Sequence, residues 1–382
     1  MIVLNVCVNG IYTDGYTYHE NLLPKYHKSL GYEVHILASQ YEFSSDGSVV
    51  KSTKTNYIDE NGVHIHRLPI WWNLGINSKF KIFKGFMKEI ETIHPDIIFC
   101  HLFQFLNAFE LVKYKKKHSE VSIYVDSHAD YINSARTIIS MNLLHRGVWR
   151  LCAHRLYEIC EKFYGVLPVR VEFLKKVYAL PDEKVELLIM GVDDIEAERA
   201  ERVDIKCKTR ERYGVSANKF LIVTGGKITG AKPEIITLVK SMSYIDAQLI
   251  VFGPIDSEIR NDFMTACCSN TKHVGWLSET EAYDLFAIAD LVVFPSTHSV
   301  YWEQVAGQGI PMIIRKWEGI DQLDLGGNIR YLSGISIENM VEDINAVVNN
   351  PEVYRSMKEN AWMKGRKYFS YRSIAERSIQ KD

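Results

Sequence analysis

Residues 289–314 read ADLVVFPSTHSVYWEQVAGQGIPMII. The β-branched run Leu291–Phe294 stops at Pro295, and Ser296-Thr297-His298-Ser299 forms a short polar loop. Helical spacing follows, then small residues (Ala306, Gly307, Gly309), and Pro311-Met312-Ile313-Ile314 reads as the next strand. Strand, loop, helix and strand make the repeating unit of a doubly wound parallel sheet, whose ligands bind beyond the carboxyl ends of the strands. The start of the helix offers free N–H groups and the positive end of its dipole to an anion. Ser299 suits the capping position there, and His298 could donate to a phosphate or a hydroxyl. Glu303, about one turn further in, could accept hydrogen bonds from vicinal hydroxyls. An anion at the helix tip with a pentose behind it describes a nucleotide.

The totals bound what surrounds this unit. At 382 residues the chain is too long for one hydrophobic core and is expected to form two domains. A composition of 47% hydrophobic and 24% charged residues is that of a globular protein. The net charge of -2 argues against a dedicated nucleic-acid binder, which would be strongly basic. Seven cysteines without paired CxxC motifs read as reduced thiols rather than a zinc site. MIVLNVCV reads as a first strand, not a signal peptide, and no run of about 18 apolar residues spans a membrane. A cytoplasmic protein is expected.

Apolar runs alternate with helical stretches along both halves. Strands are predicted at Ile2–Val8, Glu33–Ala38, Gly62–Leu68, Ile97–Cys100, Val121–Val125 and Gly165–Pro168, and helices at Tyr18–Leu30, Lys79–Thr92 and within 134–163. The second half gives strands at Phe220–Thr224, Gln248–Phe252, His273–Val274, Leu291–Phe294 and Met312–Ile314. The polar stretch 192–217 reads as a linker opening the second domain. The domains are therefore set at 1–190 and 191–367, with a last helix, about 368–382, crossing back to the first. Short strands alternating with helices imply parallel βαβ units. The fold class is α/β, with two Rossmann-like doubly wound domains.

Candidate chemistry gathers at strand ends. Thr224-Gly225-Gly226-Lys227-Ile228-Thr229-Gly230-Ala231-Lys232-Pro233 follows a strand and precedes a helix. Gly226 permits a tight turn, and Lys227 and Lys232 are point charges suited to a diphosphate. Ala231 and Pro233 break a Walker A reading, and no GxGxxG fingerprint exists. Trp276, with Leu277, could stack on or cover a base. Gly15, in Asp14-Gly15-Tyr16, follows the first strand. His128, within Asp126-Ser127-His128-Ala129-Asp130, ends another, with His101 at the end of the strand before it. The DSHAD run superficially resembles a metal cluster, but a histidine between two aspartates is weak support, and no metal is expected. Lys115-Lys116-Lys117 and the Lys79/Lys81/Lys84/Lys88 face, with Ile82, Phe83, Phe86 and Met87, suggest docking on anionic lipid.

These residues resemble GT-B glycosyltransferases of glycosyltransferase family 4, across nearly the whole chain. Asp14-Gly15 and Gly31-Tyr32-Glu33-Val34 match the family's glycine loop and "GHEV" strand. Pro95-Asp96-Ile97-Ile98 matches "PDIIH", His128 the strand-end histidine, and Met190-Gly191-Val192-Asp193 the "NGVD" segment. Gly226-Lys227 and Lys232-Pro233 match the diphosphate motif Gly-Arg-x4-Lys-Gly, and Glu303 in WEQVAGQGIPMII matches the ribose-binding glutamate. Two departures stand out. Pro295 falls where the family has its first glutamate, and Thr297-His298-Ser299 replaces the glycine-rich loop that contacts the donor sugar.

The resemblance implies two domains facing a central crevice and a retaining transfer of a sugar from a nucleotide-sugar to a hydroxyl acceptor (hexosyltransferase type, EC 2.4). Lys227 and Lys232 would stabilise the leaving diphosphate, Glu303 would bind the ribose, and His128 would line the donor-sugar and acceptor side. The Gly15 loop would approach the phosphates or acceptor. No cofactor or metal is implied, the nucleotide-sugar being substrate. A lipid-linked glycan acceptor and polysaccharide assembly, with peripheral contact on the inner membrane face, are further expectations. The alternatives are a catalytically inactive GT-B partner protein and a GT-B nucleotide-sugar epimerase. The absent fingerprint disfavours an NAD-linked dehydrogenase.

Overall fold

In the computed structural model, which describes residues 1–44, 47–74, 80–216 and 218–380, the apolar runs become mostly parallel strands. The chain divides into one unit of Met1–Ile189 with Tyr371–Asp382 and a second of Met190–Ser370. The first contains β1 (Ile2–Cys7), β2 (Glu33–Ser39), β3 (Tyr41–Phe43), β4 (Val49–Lys51), β5 (Asn56–Ile58) and β6 (His64–Leu68). It continues with β7 (Ile70–Asn73), β8 (Lys81–Phe83), β9 (Ile97–Cys100), β10 (Ser122–Ser127), β11 (Lys162–Gly165) and β12 (Val185–Leu187).

Eight of these make one sheet in the order β12-β11-β10-β9-β1-β2-β6-β5, parallel except where β5 meets β6. Ile2–Cys7 pairs with Glu33–Ala38 on one side, and Val3–Val6 pairs with Ile97–Cys100 on the other. After β2 the chain builds outward on one side, and from β9 it builds on the other. The order therefore reverses between β1 and β9. β9 is buried along its whole length, as expected of a parallel strand covered on both faces.

The second unit contains β13 (Leu221–Gly225), β14 (Gln248–Phe252), β15 (Thr271–His273), β16 (Leu291–Phe294), β17 (Met312–Ile314) and β18 (Ile329–Tyr331). They form a wholly parallel sheet ordered β15-β14-β13-β16-β17-β18, which reverses between β13 and β16. Its core joins Ile222, Leu249, Val293 and Ile313 to Leu238, Phe263 and Ile344 from the covering helices.

Four expectations need correction. The strand expected at Gly165–Pro168 is Lys162–Gly165, and Pro168 instead opens a helix running to Lys176, where its fixed φ suits the first turn. The helix predicted over Lys79–Thr92 is a strand, Lys81–Phe83, followed by a helix over Phe86–Ile93. Gly85, at φ +80° in the left-handed region, separates the two, and Lys79 lies outside the described residues. Lys81 is buried, and burial pushes its pKa down. Phe83 and Phe86 enter the core, so this face is not free to meet lipid. The polar stretch 192–217 is not an extended linker: Asp194–Ala200 and Val203–Tyr213 are helices, and position 217 lies outside the described residues. The second of these helices buries only Thr209 and Tyr213, which explains its polar composition. Finally, the helical stretch within 134–163 begins at Ser140 with π-helical turns to Trp149 and continues as α-helix over Arg150–Tyr157.

The helix Tyr371–Ser378 belongs to the first unit, against the helix His19–Ser29. His27 Nε2 lies 2.8 Å from Ser378 Oγ, and His19 Nδ1 lies 3.0 Å from the Tyr371 hydroxyl. Tyr124 donates its hydroxyl hydrogen to the Ile379 carbonyl at 3.0 Å. Burial, with a smaller contribution from His101, pushes the His27 imidazole from 6.5 down to about 3. The unfolded chain therefore takes up a proton that the folded chain refuses, so this contribution to stability falls as pH drops through 6.5 toward about 3. Chemical denaturation at roughly pH 7.5 and 5.5 should show wild type losing stability on acidification. His27→Gln should lose about 1.4 kcal/mol less over that interval. An unchanged difference would remove His27 from the acid response.

Candidate active site

In the second unit, the loops after β13 and β16 flank the point where strand order reverses, the place such sheets offer to ligands. Gly226 follows β13 at φ +120°, a conformation costly for any residue with a Cβ. Gly253, after β14, has φ +113°, and a Cβ there would come within 2.0 Å of the Gly226 carbonyl oxygen. The two loops thus cross too closely for a side chain at Gly253. Lys227 is exposed and Lys232 is half-buried in the turn beyond, where burial lowers the Lys232 pKa against the raising effect of Glu234.

Glu234 opens the helix Glu234–Ser241 and ties this region to its neighbours. It accepts a hydrogen bond from Ser296 Oγ at 2.9 Å and pairs with the Arg315 guanidinium. Arg315 follows β17 and stacks 4.7 Å from the Trp317 ring centroid, while Trp317 Nε1 donates to the Ser296 carbonyl at 3.2 Å. The loops after β13, β16 and β17 are therefore bound into one assembly. Neither Glu234 nor Arg315 was singled out in the sequence. The available signal was position, because Arg315 is the first residue beyond a strand's carboxyl end.

Glu303 is almost wholly buried, with 1% of its side chain exposed. Its carboxylate lies 2.9 and 3.0 Å from His298 Nε2 and accepts a hydrogen bond from Gln322 Nε2 at 2.8 Å. The carboxylate thus finds partners within the chain, and His298 faces it. Helical geometry starts at Tyr301, with Val300 at the cap, and Ser299 Oγ reaches only the Tyr301 amide at 3.4 Å. The helix begins later than expected, and Ser299 is not its cap. Gln322 was missed because it lies in a loop without periodicity. Buried polar atoms at Thr224 Oγ1, Trp302 Nε1 and Gln322 Oε1 have no partner within the protein. Such atoms cost free energy unless a ligand or water serves them. Trp276 is 73% exposed after β15 and Leu277 is buried beside it.

In the first unit, Gly15 sits in a turn at φ +74° after β1. Asp14 accepts from the Tyr57 hydroxyl at 2.9 Å. The buried Arg67 donates to the Tyr12, Ser39 and Tyr41 carbonyls and pairs with Glu42 at 3.0 Å, fixing the loops after β1 and β2. His128 follows β10 with 22% of its side chain exposed, its Nε2 lying 3.7 Å from Asp126 Oδ2. Asp126 is fully buried. His101 Nδ1 meets its Oδ2 at 2.9 Å, and the Leu102 amide donates to Oδ1 at 2.8 Å. His19, from the first turn of the helix after β1, is 3.5 Å from the same Oδ2. Burial alone would raise the Asp126 pKa, but His101 and His128 together hold it well below the usual carboxylate range. Asp130 turns away, accepting from the Ile132 and Asn133 amides and from Arg170 Nε. A cavity of about 420 Å³ lies at the opposite, amino-terminal edge of this sheet, among Met1, Asp96 and Ser122.

No protein-family model matches the chain, and no curated protein matches it. Solved structures do. A glycosyltransferase from Rickettsia africae is 12% identical with a TM-score of 0.65, covering 99% of this chain and 96% of its own. Anabaena Alr3699/HepE in complex with UDP is 14% identical with a TM-score of 0.66, covering 99% and 98%. A UDP-GlcNAc 2-epimerase from Neisseria meningitidis, bound to UDP-GlcNAc, is 12% identical with a TM-score of 0.62, covering both chains fully. The likeness runs from end to end of both units, and the chain has the GT-B fold.

Proposed function

We propose that this chain is a retaining glycosyltransferase of the family 4 type, transferring a hexose from a nucleotide-sugar to a hydroxyl acceptor. The observation that carries the reading is the assembly at the β13/β16 reversal. There Lys227 and Lys232, Glu234 with Ser296 and Arg315, and Glu303 with His298 and Gln322 occupy adjoining loops of one sheet edge. In this role Lys227 and Lys232 neutralise the diphosphate as the anomeric C–O bond breaks. The acceptor oxygen attacks from the same face, and its proton passes to the departing phosphate oxygen. An incoming dianion would favour the charged form of Lys232, reversing the effect of burial. Glu303 receives ribose hydroxyls, with His298 and Gln322 holding the carboxylate in place. Trp276 and Leu277 serve the base, Gly226 lets the diphosphate approach the backbone, and Ser299 stands near the phosphates. His128 and the Gly15 loop are assigned to the donor-sugar and acceptor side. UDP is the nucleotide to try first, because the HepE and epimerase structures hold UDP or a UDP-sugar.

The likeness to UDP-GlcNAc 2-epimerases supports a second reading, conversion of the donor without an acceptor. Product analysis with and without added acceptors separates the two. Binding of UDP with no chemistry in either arm would point to an inactive partner protein. For the transferase, Lys232→Ala should lower kcat by roughly 10²–10³ while Glu303 variants weaken nucleotide binding. Turnover within a few-fold of wild type in Lys232→Ala would end the assigned role.

A lipid-linked acceptor would bring the enzyme to a membrane face. Among the described residues no helix is long and apolar enough to cross a membrane. Residues 131–157 contain four arginines and no aspartate or glutamate, and Ile132, Ile138, Ile139, Leu143 and Leu151 are exposed there. Arg155 pairs with Glu158 at 3.4 Å, and apolar side chains beside the other three arginines suit the surface of an anionic bilayer, at about 1 kcal/mol per basic residue. Sedimentation with phosphatidylserine vesicles should pull down the wild-type chain, less so in high salt. Leu143→Asp combined with Leu151→Asp should remain in the supernatant; undiminished pelleting would assign the contact elsewhere.

A further inference from the structure

His19, Asp126 and His128 each bring a potential ligand atom within 4.8 Å of the other two, beyond the carboxyl ends of β1 and β10. The nitrogens facing the Asp126 carboxylate are His19 Nε2 and His128 Nε2. The two imidazole nitrogens are buried and have no hydrogen-bond partner, although each faces the carboxylate, at 3.5 Å from His19 and 3.7 Å from His128. A bare polar nitrogen in a buried site is costly, and two aimed at one anion are more so. Hydrogen bonds to the oxygen would need separations near 2.7–3.2 Å, shorter than either distance. Metal–ligand bonds of about 2.0–2.1 Å at a tetrahedral centre place ligand atoms roughly 3.3–3.4 Å apart. Each nitrogen–oxygen separation therefore needs to close by only a few tenths of an ångström, and the two histidine donors stand within 4.8 Å of each other.

We propose that His19, Asp126 and His128 form a binding site for one divalent transition-metal ion, Zn²⁺ or Co²⁺ in chemical character. This goes beyond the reading of the second unit and does not depend on nucleotide binding there. The donor set, two imidazoles and one carboxylate, suits zinc, cobalt or ferrous ions and not magnesium or calcium, which take oxygen ligands. Two of the three ligands are oriented by neighbours. His19 Nδ1 is 3.0 Å from the Tyr371 hydroxyl, and Asp126 is fixed by His101 Nδ1 at 2.9 Å and the Leu102 amide at 2.8 Å. Outer hydrogen bonds of this kind set tautomer and ring direction at metal sites. His101 itself is not a ligand, since its Nε2 already lies 3.3 Å from Asn5 Oδ1. The partly exposed ring of His128 gives the ion a way in. DSHAD alone offered no such site. The missing donor is His19, 107 positions before Asp126 in the chain.

The test uses the full chain, stripped with chelator, dialysed, and titrated with Co²⁺ and then Zn²⁺. One Co²⁺ per chain should bind at micromolar concentration or tighter and show visible d–d absorption without a near-ultraviolet thiolate band. Zn²⁺ should displace it and raise the melting temperature. His19→Gln and His128→Ala, each checked for native circular dichroism, should weaken binding at least about 100-fold, and Tyr371→Phe by about 10–100-fold. His64→Gln, which alters the separate Glu33–His35–His64 group, should bind as wild type does. The proposal is overturned if no ion binds below about 100 µM. A thiolate spectrum, binding that survives both ligand variants, or loss of binding in His64→Gln would overturn it equally.

Discussion

Taking a carboxylate out of water costs several kcal/mol unless donors or cations replace the lost hydration. This chain meets that cost at the carboxyl edge of both sheets. Asp126 is covered by the Leu102 amide and ringed by His19, His101 and His128. Glu303 is covered by His298 and Gln322, and Glu234 by Ser296 and Arg315. In each case the partners come from different strand-end loops. The need to satisfy one buried anion thus fixes loops that are remote in sequence, and the chemistry available at each edge follows from which partners it recruits.

Much of this frame was legible from sequence because parallel strands buried on both faces must be apolar without interruption. Ile97–Cys100, Gln248–Phe252, Leu291–Phe294 and Met312–Ile314 fall where the runs placed them. The failures have a common physical origin. Lys81–Phe83 has the composition of a helix face, and Gly85 alone marked the break. The helices over 194–200 and 203–213 bury so few side chains that no apolar stripe announces them. Val185–Leu187 and Ile329–Tyr331 are three-residue edge strands, too short to carry a period.

The candidate site was open to nomination residue by residue and not pair by pair. Lys232, Glu303 and His128 could be nominated from their positions at strand ends, but their partners could not. Gln322 and Arg315 reach the assembly from loops after β17, and His19 reaches Asp126 from a helix whose spacing advertises only its buried face. Long-range partners of a buried charge leave no periodic trace, since a single polar residue at the right place suffices.

Glu234 shows how one carboxylate can tune a cation without neutralising it. Placed two residues from Lys232, it raises the pKa that burial lowers, yet its own oxygens are committed to Ser296 and Arg315. A lysine locked in a direct ion pair would have to break that pair to meet a diphosphate. Here the favourable field comes from a neighbour already bonded elsewhere, which leaves Lys232 half-buried and poorly solvated. Such an ammonium interacts more strongly with an arriving phosphate than a fully hydrated one, because less water must be displaced and the local dielectric is lower. On the proposed function, Arg315 would contribute to anion recognition at one remove, by taking the carboxylate that would otherwise compete for the lysine.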